Sequence, residues 1–522
     1  MNTTEFLTIA TSICPDKEAI VFEGQRIPYS QLGERVNRLA NVLRRFGVGK
    51  GDRVAFLNVN CPHAAESYFA TAKVGGVYVP LNFRARAEEL QYMIDTAGAQ
   101  VLVVGARYVP LIEQVRQRLP SVKHFISSEG RAAGYHEYEA LLAESSAEDV
   151  SADISDEDIT IIMYTAGTTG FPKGVVLNHN SFGIYVTNNV TPADPDTVEK
   201  NILTVPLYHI AGLQAQLAAI YGGRTLIMQR QFEAADWLRL VEQERVSRAM
   251  MVPTMLKQLL EHPDFKQRDL SSLKVITYGA APMPLEVIKR AVKELPNARF
   301  INAFGQTESA STITMLGPED HVLEGSDEEV DKKLKRLSSI GKPMDDVTIQ
   351  IMDEEGNFLE AGQVGEIVAT GPRIMSGYWK DEEKTKATLK DGWLHTGDLG
   401  YMDEDGYIFL AGRAKDMIKR GGEMVSPEEV ENVLQSHPAI DEAAIIGVPD
   451  DTWGELVRAV VVKRPHSRVS AEELIEFCHQ RLASFKKPES VVFVDELPRN
   501  PMGKVLKRVL REQYGKDYKV RA

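Results

Sequence analysis

Cysteine is scarce in this sequence. Cys14, Cys61 and Cys478 are the only three among 522 residues, far apart, with no CxxC and no Cys/His ladder. That spacing supports neither a disulfide framework nor a zinc site, and small buried thiols are expected. Positive charge is also in deficit: 60 lysines and arginines face 74 aspartates and glutamates, a net charge of -14. A general nucleic-acid binder needs a basic surplus to neutralise phosphates, so no nucleic-acid partner is expected, although a local nucleotide site stays open. No apolar run reaches the roughly 18 residues of a membrane span. The N-terminal stretch MNTTEFLTIATSICPDKE lacks a basic n-region and is interrupted at Asp16, so it makes a poor signal peptide. A cytoplasmic protein without an integral membrane segment is expected. Repeats of 20–50 residues are missing too, which excludes solenoids and propellers.

What is present reads as globular: 43% hydrophobic and 26% charged residues. At about 100–200 residues per domain, the chain is too long for one core. Short apolar runs alternate with amphipathic ones. Val54–Asn58, Val77–Leu81, Val101–Val104 and Thr160–Tyr164 read as strands, and Ala64–Lys73 as a helix. Strand Val275–Tyr278, helix Pro284–Leu295 (Leu285, Ile288, Val292 and Leu295 on one stripe) and strand Arg299–Ala303 form a parallel βαβ unit. Ligands of such sheets sit at the carboxyl ends of strands, here Gly279-Ala280-Ala281 and Phe304-Gly305-Gln306-Thr307-Glu308. Glu319–Lys335 is charge-rich and expected to be a solvated loop or surface helix. After Gly412, capping boxes at Ser426 and Ser470 alternate with strands Ala443–Val448, Val457–Val462 and Val491–Val494. The fold class expected is therefore α/β, a large N-terminal domain (1–412) with sheets packed between helices plus a small mobile α+β domain (413–522).

The most informative segment is Tyr164-Thr165-Ala166-Gly167-Thr168-Thr169-Gly170-Phe171-Pro172-Lys173-Gly174. Glycines let backbone N–H groups approach phosphate oxygens, hydroxyls add donors and lysine adds charge. It is not a Walker A loop, because Gly-Lys-Ser/Thr is missing. The segment resembles the signature of the adenylate-forming enzymes, which include acyl-CoA synthetases, peptide-synthetase adenylation domains and luciferases. Pro206-Leu207-Tyr208-His209, Gly279-Ala280-Ala281-Pro282, Phe304–Glu308, Thr396-Gly397-Asp398, Gly412–Asp416 and Pro498–Lys504 match further family motifs in order across the chain. One departure is Ala166, where most members carry serine.

The resemblance implies ATP and CoA as co-substrates, Mg²⁺ as cofactor and a small-molecule carboxylic acid as the third reactant. It assigns ATP binding to Thr165, Gly167, Thr168, Thr169, Gly170, Lys173, Gly279, Ala280, Ala281, Ala303, Phe304, Gly305, Asp398 and Arg413. Among these, Phe304 matches the adenine-stacking position, while Asp398 and Arg413 match the ribose contacts. Thr307 and Glu308 would work at the phosphates, with Glu308 on the metal. Lys504 would swing in to neutralise charge during adenylation, and Lys415 would be the hinge of the small domain. His209 would gate the acyl pocket, and Gly421-Gly422 would line the pantetheine tunnel; locally these also read as a structural histidine and a simple turn. Small residues at Ala211, Gly279 and Gly305, with Ser311 and Thr312, suggest a deep apolar pocket for a medium- or long-chain fatty acid. An aromatic or alicyclic acid is the alternative, as are a carrier-protein acceptor, an oxidising luciferase-like relative and a non-catalytic nucleotide binder. No interface signal separates a monomer from a homodimer.

Overall fold

The computed structural model describes residues 1–165, 172–196, 198–421, 423–450, 452–499 and 504–515. Two large sheets dominate it. The first has nine strands. Its parallel centre runs, in spatial order, Arg299–Gln306, Val275–Gly279, Arg248–Met251, Lys200–Leu203, Thr225–Met228 and Glu18–Phe22. Antiparallel strands Ser311–Leu316 and Lys342–Pro343 close one edge, and Gln25–Pro28 closes the other. The second sheet has eight strands. Six are parallel: Ile159–Thr165, Val77–Pro80, Arg53–Leu57, Ala99–Val104, His124–Ser127 and His136–Glu137. Lys173–Asn178 and Gly377–Tyr378 extend it antiparallel.

Helices Thr4–Ile13, Tyr29–Arg45, Pro62–Lys73 and Ile210–Tyr221 contribute to one core with residues of both sheets, Ile20 and Leu226 from the first and Val54, Val101 and Ile161 from the second. The parallel strands are covered on both faces, which is why they read as unbroken apolar runs. Helix Tyr29–Arg45 shows the matching helical logic: Leu32, Val36, Leu39 and Leu43 recur at three- and four-residue intervals and are all buried. Truncating one of them, as in Leu39→Ala, is expected to cost about 2–5 kcal/mol.

The βαβ unit forms as expected, with Gly279 paired to Ala303 in parallel register. Its helix spans Leu285–Glu294 with Pro284 as N-cap, and its buried face is Ile288 and Ala291. Leu285 faces solvent instead of joining that stripe, because at the first helical position it lies beyond the edge of the core.

Antiparallel strands Thr348–Met352, Gly365–Thr370, Trp393–Met402 and Leu389–Lys390, with Ile408–Arg413, make a third sheet. The fourth is the C-terminal one: Glu423–Val425, Ile418–Arg420, Gly454–Lys463 and Ile440–Asp450 pair antiparallel, and Ser490–Val494 adds a parallel strand. Ser426 and Ser470 cap helices Pro427–Gln435 and Ala471–His479 by accepting from Glu429 N and Glu473 N. The charged segment is solvated only in part. Helix Asp327–Arg336 buries nothing, but Asp320 is buried, accepts from the Tyr407 hydroxyl at 2.9 Å and pairs with Arg336 at 3.0 Å. All three cysteines are free and buried. Among the described residues, no helix is long and apolar enough to cross a membrane.

Candidate active site

Carboxyl ends of strands from both large sheets supply one half of the site. Thr165 ends Ile159–Thr165 and pairs with Lys173 at the start of the next strand. Gly167, Thr168, Thr169 and Gly170, with Ala166, lie outside the described residues. In the other sheet Gly279 and Gln306 end neighbouring parallel strands. A single 3-10 turn, Thr307–Ser309, follows Gln306. The Ser309 hydroxyl accepts from Gln306 N at 3.1 Å and bonds the Ser311 carbonyl at 3.0 Å. Those bonds oppose local strain: Ala310 and Ser311 hold φ of 49° and 86°, and Ala280 in the adjoining turn holds 66°. Non-glycine residues in that region cost of order 1–3 kcal/mol each and cluster at functional sites.

Glu308 is held at two points. Its carbonyl accepts from Met375 N at 2.8 Å, and its Oε1 accepts from the Tyr378 hydroxyl at 2.8 Å. Tyr378 belongs to the strand that pairs with Lys173–Asn178, and the Lys173 ammonium stands 4.8 Å from its ring centroid. Burial, then the Glu308 charge, raises the phenol's pKa and keeps it a donor. Tyr378 therefore joins the two sheets and two nominated residues. Sequence reasoning missed it, because a Gly-Tyr-Trp run reads as core.

Two glycines have a different reason for being small. A Cβ on Gly279 would stand 2.0 Å from the Ala303 carbonyl oxygen, and one on Gly305 would stand 1.6 Å from that of Ser311. Backbone crowding within the sheet requires both, so neither measures the depth of an acyl pocket. Phe304 is half-buried against the Ile313 and Ile340 cluster.

The other half lies on the third and fourth sheets. Asp398 and Arg413 face each other across an antiparallel pair, and Arg413 Nε donates to Asp398 Oδ1 at 2.7 Å. Glu366 fixes the strand segment before Asp398 by accepting from Gly397 N at 2.9 Å and pairing with His395 Nδ1 at 2.8 Å. Lys504 lies half-buried in the same electrostatic neighbourhood. Burial and the Arg413 charge push its pKa down to about 8, against the opposing pull of Asp398 and Glu428. Burial raises the Asp398 carboxyl, opposed by Arg413, Lys504 and Lys415. Glu428 is raised to about 7, by burial and then by Glu431. The sequence marked Glu428 only as part of a helix start; long-range folding brings it to Lys504. Lys415 occupies a 3-10 turn, Ala414–Asp416, between two sheets, and Arg511 of the last helix is ion-paired with Asp416. Lys257 of helix Pro253–Glu261 reaches Asp441 of the C-terminal sheet at 2.6 Å.

The AMP-binding enzyme family matches residues 10–379, and the AMP-binding enzyme C-terminal domain matches residues 429–504. The chain belongs to the AMP-binding enzymes. It is 36% identical over 502 residues to a feruloyl-CoA synthase of Amycolatopsis sp, covering 96% of each chain. It is 34% identical to the long-chain-fatty-acid–CoA ligase FadD13 of Mycobacterium tuberculosis, covering 94% of this chain and 93% of that one. ATP-bound MatB from Rhodopseudomonas palustris superposes with a TM-score of 0.88 at 31% identity, covering 99% of this chain and 100% of that one. This AMP-binding enzyme is an AMP-forming acid–thiol ligase.

Of the remaining nominated residues, His209 is the N-cap of helix Ile210–Tyr221 and is half-buried, with its Nε2 sealed from solvent and unpartnered among the described residues. Burial, then Arg84, pushes its pKa down to about 3, so the ring is neutral. Ala211 sits in the first turn of that helix; Ser311 and Thr312 are buried on the neighbouring strand. Gly421 has φ 60°, and a Cβ there would stand 2.7 Å from the Trp453 ring. Gly422 lies outside the described residues. The AMP-binding enzyme also has a charge pair that the motifs did not mark: Arg373, fully buried, binds Asp346 and donates to the Thr312 carbonyl at 2.6 Å.

Proposed function

We propose that this AMP-binding enzyme joins a carboxylic acid to CoA in two half-reactions. In the first, an acid carboxylate oxygen attacks the α-phosphorus of ATP, the bond to the bridging oxygen breaks, and pyrophosphate leaves an acyl-adenylate. In the second, the CoA thiol loses its proton, sulfur attacks the acyl carbon, and AMP leaves with the electron pair of the broken C–O bond. Phosphoryl transfer is catalysed mainly by positioning and by compensating charge.

The observation that carries this reading is the half-buried Lys504 in the field of the Asp398–Arg413 pair. A desolvated cation at that place would stabilise negative charge building on the phosphates, an effect of several kcal/mol at preorganised sites. Asp398 would accept from the ribose hydroxyls, Arg413 would orient it, and Phe304 with Gly279-Ala280-Ala281 would hold the base. Thr165 and Lys173 would face the phosphates together with the loop they flank. Among the described residues no cluster of three or more His, Cys, Asp or Glu could cage a metal. Glu308 nevertheless offers hard carboxylate oxygen, and a Mg²⁺ held by one carboxylate plus substrate phosphates fits that donor set. When bound, the ion would supply charge neutralisation among the phosphates. Thr307 and Tyr378 would then keep the Glu308 carboxylate in place.

The second half-reaction needs Lys504 to leave. Residues 413–522 would rotate as a small domain about Lys415 on residues 1–412, breaking Lys257–Asp441 and bringing Gly421-Gly422 to the thiol. His209, neutral and at the mouth of its helix, would move aside to admit the pantetheine arm. The acid would lie along helix Ile210–Tyr221, past Ala211 and against Ser311 and Thr312. A medium- or long-chain fatty acid and an aromatic acid both meet that description, and the fatty-acid and feruloyl names of two relatives bracket the range.

The test is AMP release from ATP with and without CoA, across straight-chain acids of increasing length and ring acids. A CoA-dependent maximum supports the ligase. Adenylate formation that CoA leaves unchanged would transfer the thiol role to a carrier protein.

A further inference from the structure

Helix Ile210–Tyr221 is buried on nearly every side, yet not evenly. Leu217, Ala219 and Ile220 are 0% exposed, whereas Ile210, Ala211 and Gln214 keep 8%, 7% and 5%. Ala215 and Ala218 are likewise only partly buried. Ala211, Gln214, Ala215 and Ala218 stand at i, i+3, i+4 and i+7, one face of the helix. Helix His179–Asn189 and strand Ser311–Leu316 pack beside it. Gln214 is the anomaly on this face. Its Nε2 and its Oε1 are both sealed from solvent and without a partner, and among the described residues no other buried side chain shows both ends so. A buried amide missing both partners is a standing cost, since each group has given up its water.

The geometry points to Gln214 as the residue that reads a hydroxyl on the body of the acid. An amide offers a donor and an acceptor, and a hydroxyl both accepts and donates, so one group satisfies both ends. Gln214 lies five residues past His209, about 7.5 Å along the helix axis. The hydroxyl would therefore sit well away from the carboxylate, on an otherwise apolar chain or ring. This inference rests on the ligase reading above and narrows its acid to a hydroxylated one. Sites built to bond a substrate hydroxyl reject the analogue that lacks it far more strongly than apolar pockets sort by size.

The experiment compares matched acids by pyrophosphate release: cinnamate with 4-hydroxycinnamate, and decanoate with hydroxydecanoates whose hydroxyl walks from carbon 4 to carbon 10. Wild-type enzyme should favour one hydroxylated member at least about tenfold in kcat/KM. Gln214→Leu, and Gln214→Met as a second isostere, should bring that acid down to the level of its apolar match. The same variants should raise the Tm of the free enzyme by about 1–2 °C, because an unsatisfied amide is gone. Pyrophosphate release without hydroxyl preference, or a preference that survives both variants, overturns the inference alone. No pyrophosphate with any acid overturns the ligase reading and takes the inference with it.

Discussion

Two charge clusters in this enzyme, each built on a buried group, follow opposite rules. Arg373 and Asp346 form a closed pair: the guanidinium is fully buried, its second nitrogen donates to Asp346 at 3.0 Å, and its third is used on the Thr312 carbonyl. Around Asp398 the balance is uneven. Arg413, Lys504 and Lys415 all act on the buried Asp398 carboxylate, and desolvation, then Arg413, drives Lys504 well below its ordinary range although Asp398 and Glu428 oppose it. A satisfied ion pair fixes a structure, whereas a desolvated cluster of mixed charge holds its groups away from their ordinary pKa values, and such perturbed groups gather at functional sites.

The contrast can be broken most forcefully at the closed pair. Arg373→Met strands the Asp346 carboxylate and should cost about 3–5 kcal/mol, read as a large loss of Tm, with Asp346→Leu restoring most of it in the double variant. If the single variant unfolds no more easily, the pair is not structural. Lys504→Ala should do the reverse. It should leave Tm unchanged or higher while lowering adenylation by about 10²–10³-fold, and should spare thioester formation from supplied acyl-adenylate. Equal loss of both half-reactions would remove Lys504 from its assigned role.

Tyr378→Phe takes away one hydrogen bond to a charged carboxylate, worth about 1.5–3 kcal/mol. It should raise the Mg²⁺ concentration needed for half-maximal adenylation by about tenfold and leave the KM for the acid alone; a change in the acid KM would point to a different partner for Tyr378.

The pH response sharpens the comparison further. Lys504 titrates near 8 in the fold against 10.5 in an unfolded chain. Adenylation should fall as pH rises through about 8, because the cation is lost. Between 8 and 10.5 the unfolded chain binds the extra proton, so this group's contribution to stability should rise with pH over that window. Activity and stability thus move in opposite directions. The smallest effect is expected from Glu428→Gln, which removes a charge favouring Lys504⁺ and should lower the alkaline edge of adenylation by about half a unit. An edge that moves up would place Glu428 outside the cluster's field.

Much of the architecture was legible because it is written locally. The apolar runs around Val54, Val77, Val101 and Val275 became parallel strands, and Ser426 and Ser470 capped the helices they precede. Periodicity and capping depend on neighbours a few residues away, so a single sequence carries them. Leu285 failed for the same reason in reverse: a stripe says which face is apolar but not how far the core beneath it extends. The glycines show a subtler limit. Gly279 and Gly305 stood out as small, yet what demands their smallness is the Ala303 and Ser311 carbonyls.

By itself the sequence determined the order of elements, the strand ends that carry the motifs and the identity of Glu308, Asp398, Arg413 and Lys504 as candidates. Only the tertiary structure decided that Tyr378, 70 residues from Glu308, donates to it, that Glu428 shares a field with Lys504, and that both ends of the Gln214 amide lack partners among the described residues. Those facts are contacts and burial between segments distant in the chain. Hydrogen-bond satisfaction and desolvation are set by what surrounds a group in space, and no local pattern of residue types encodes that.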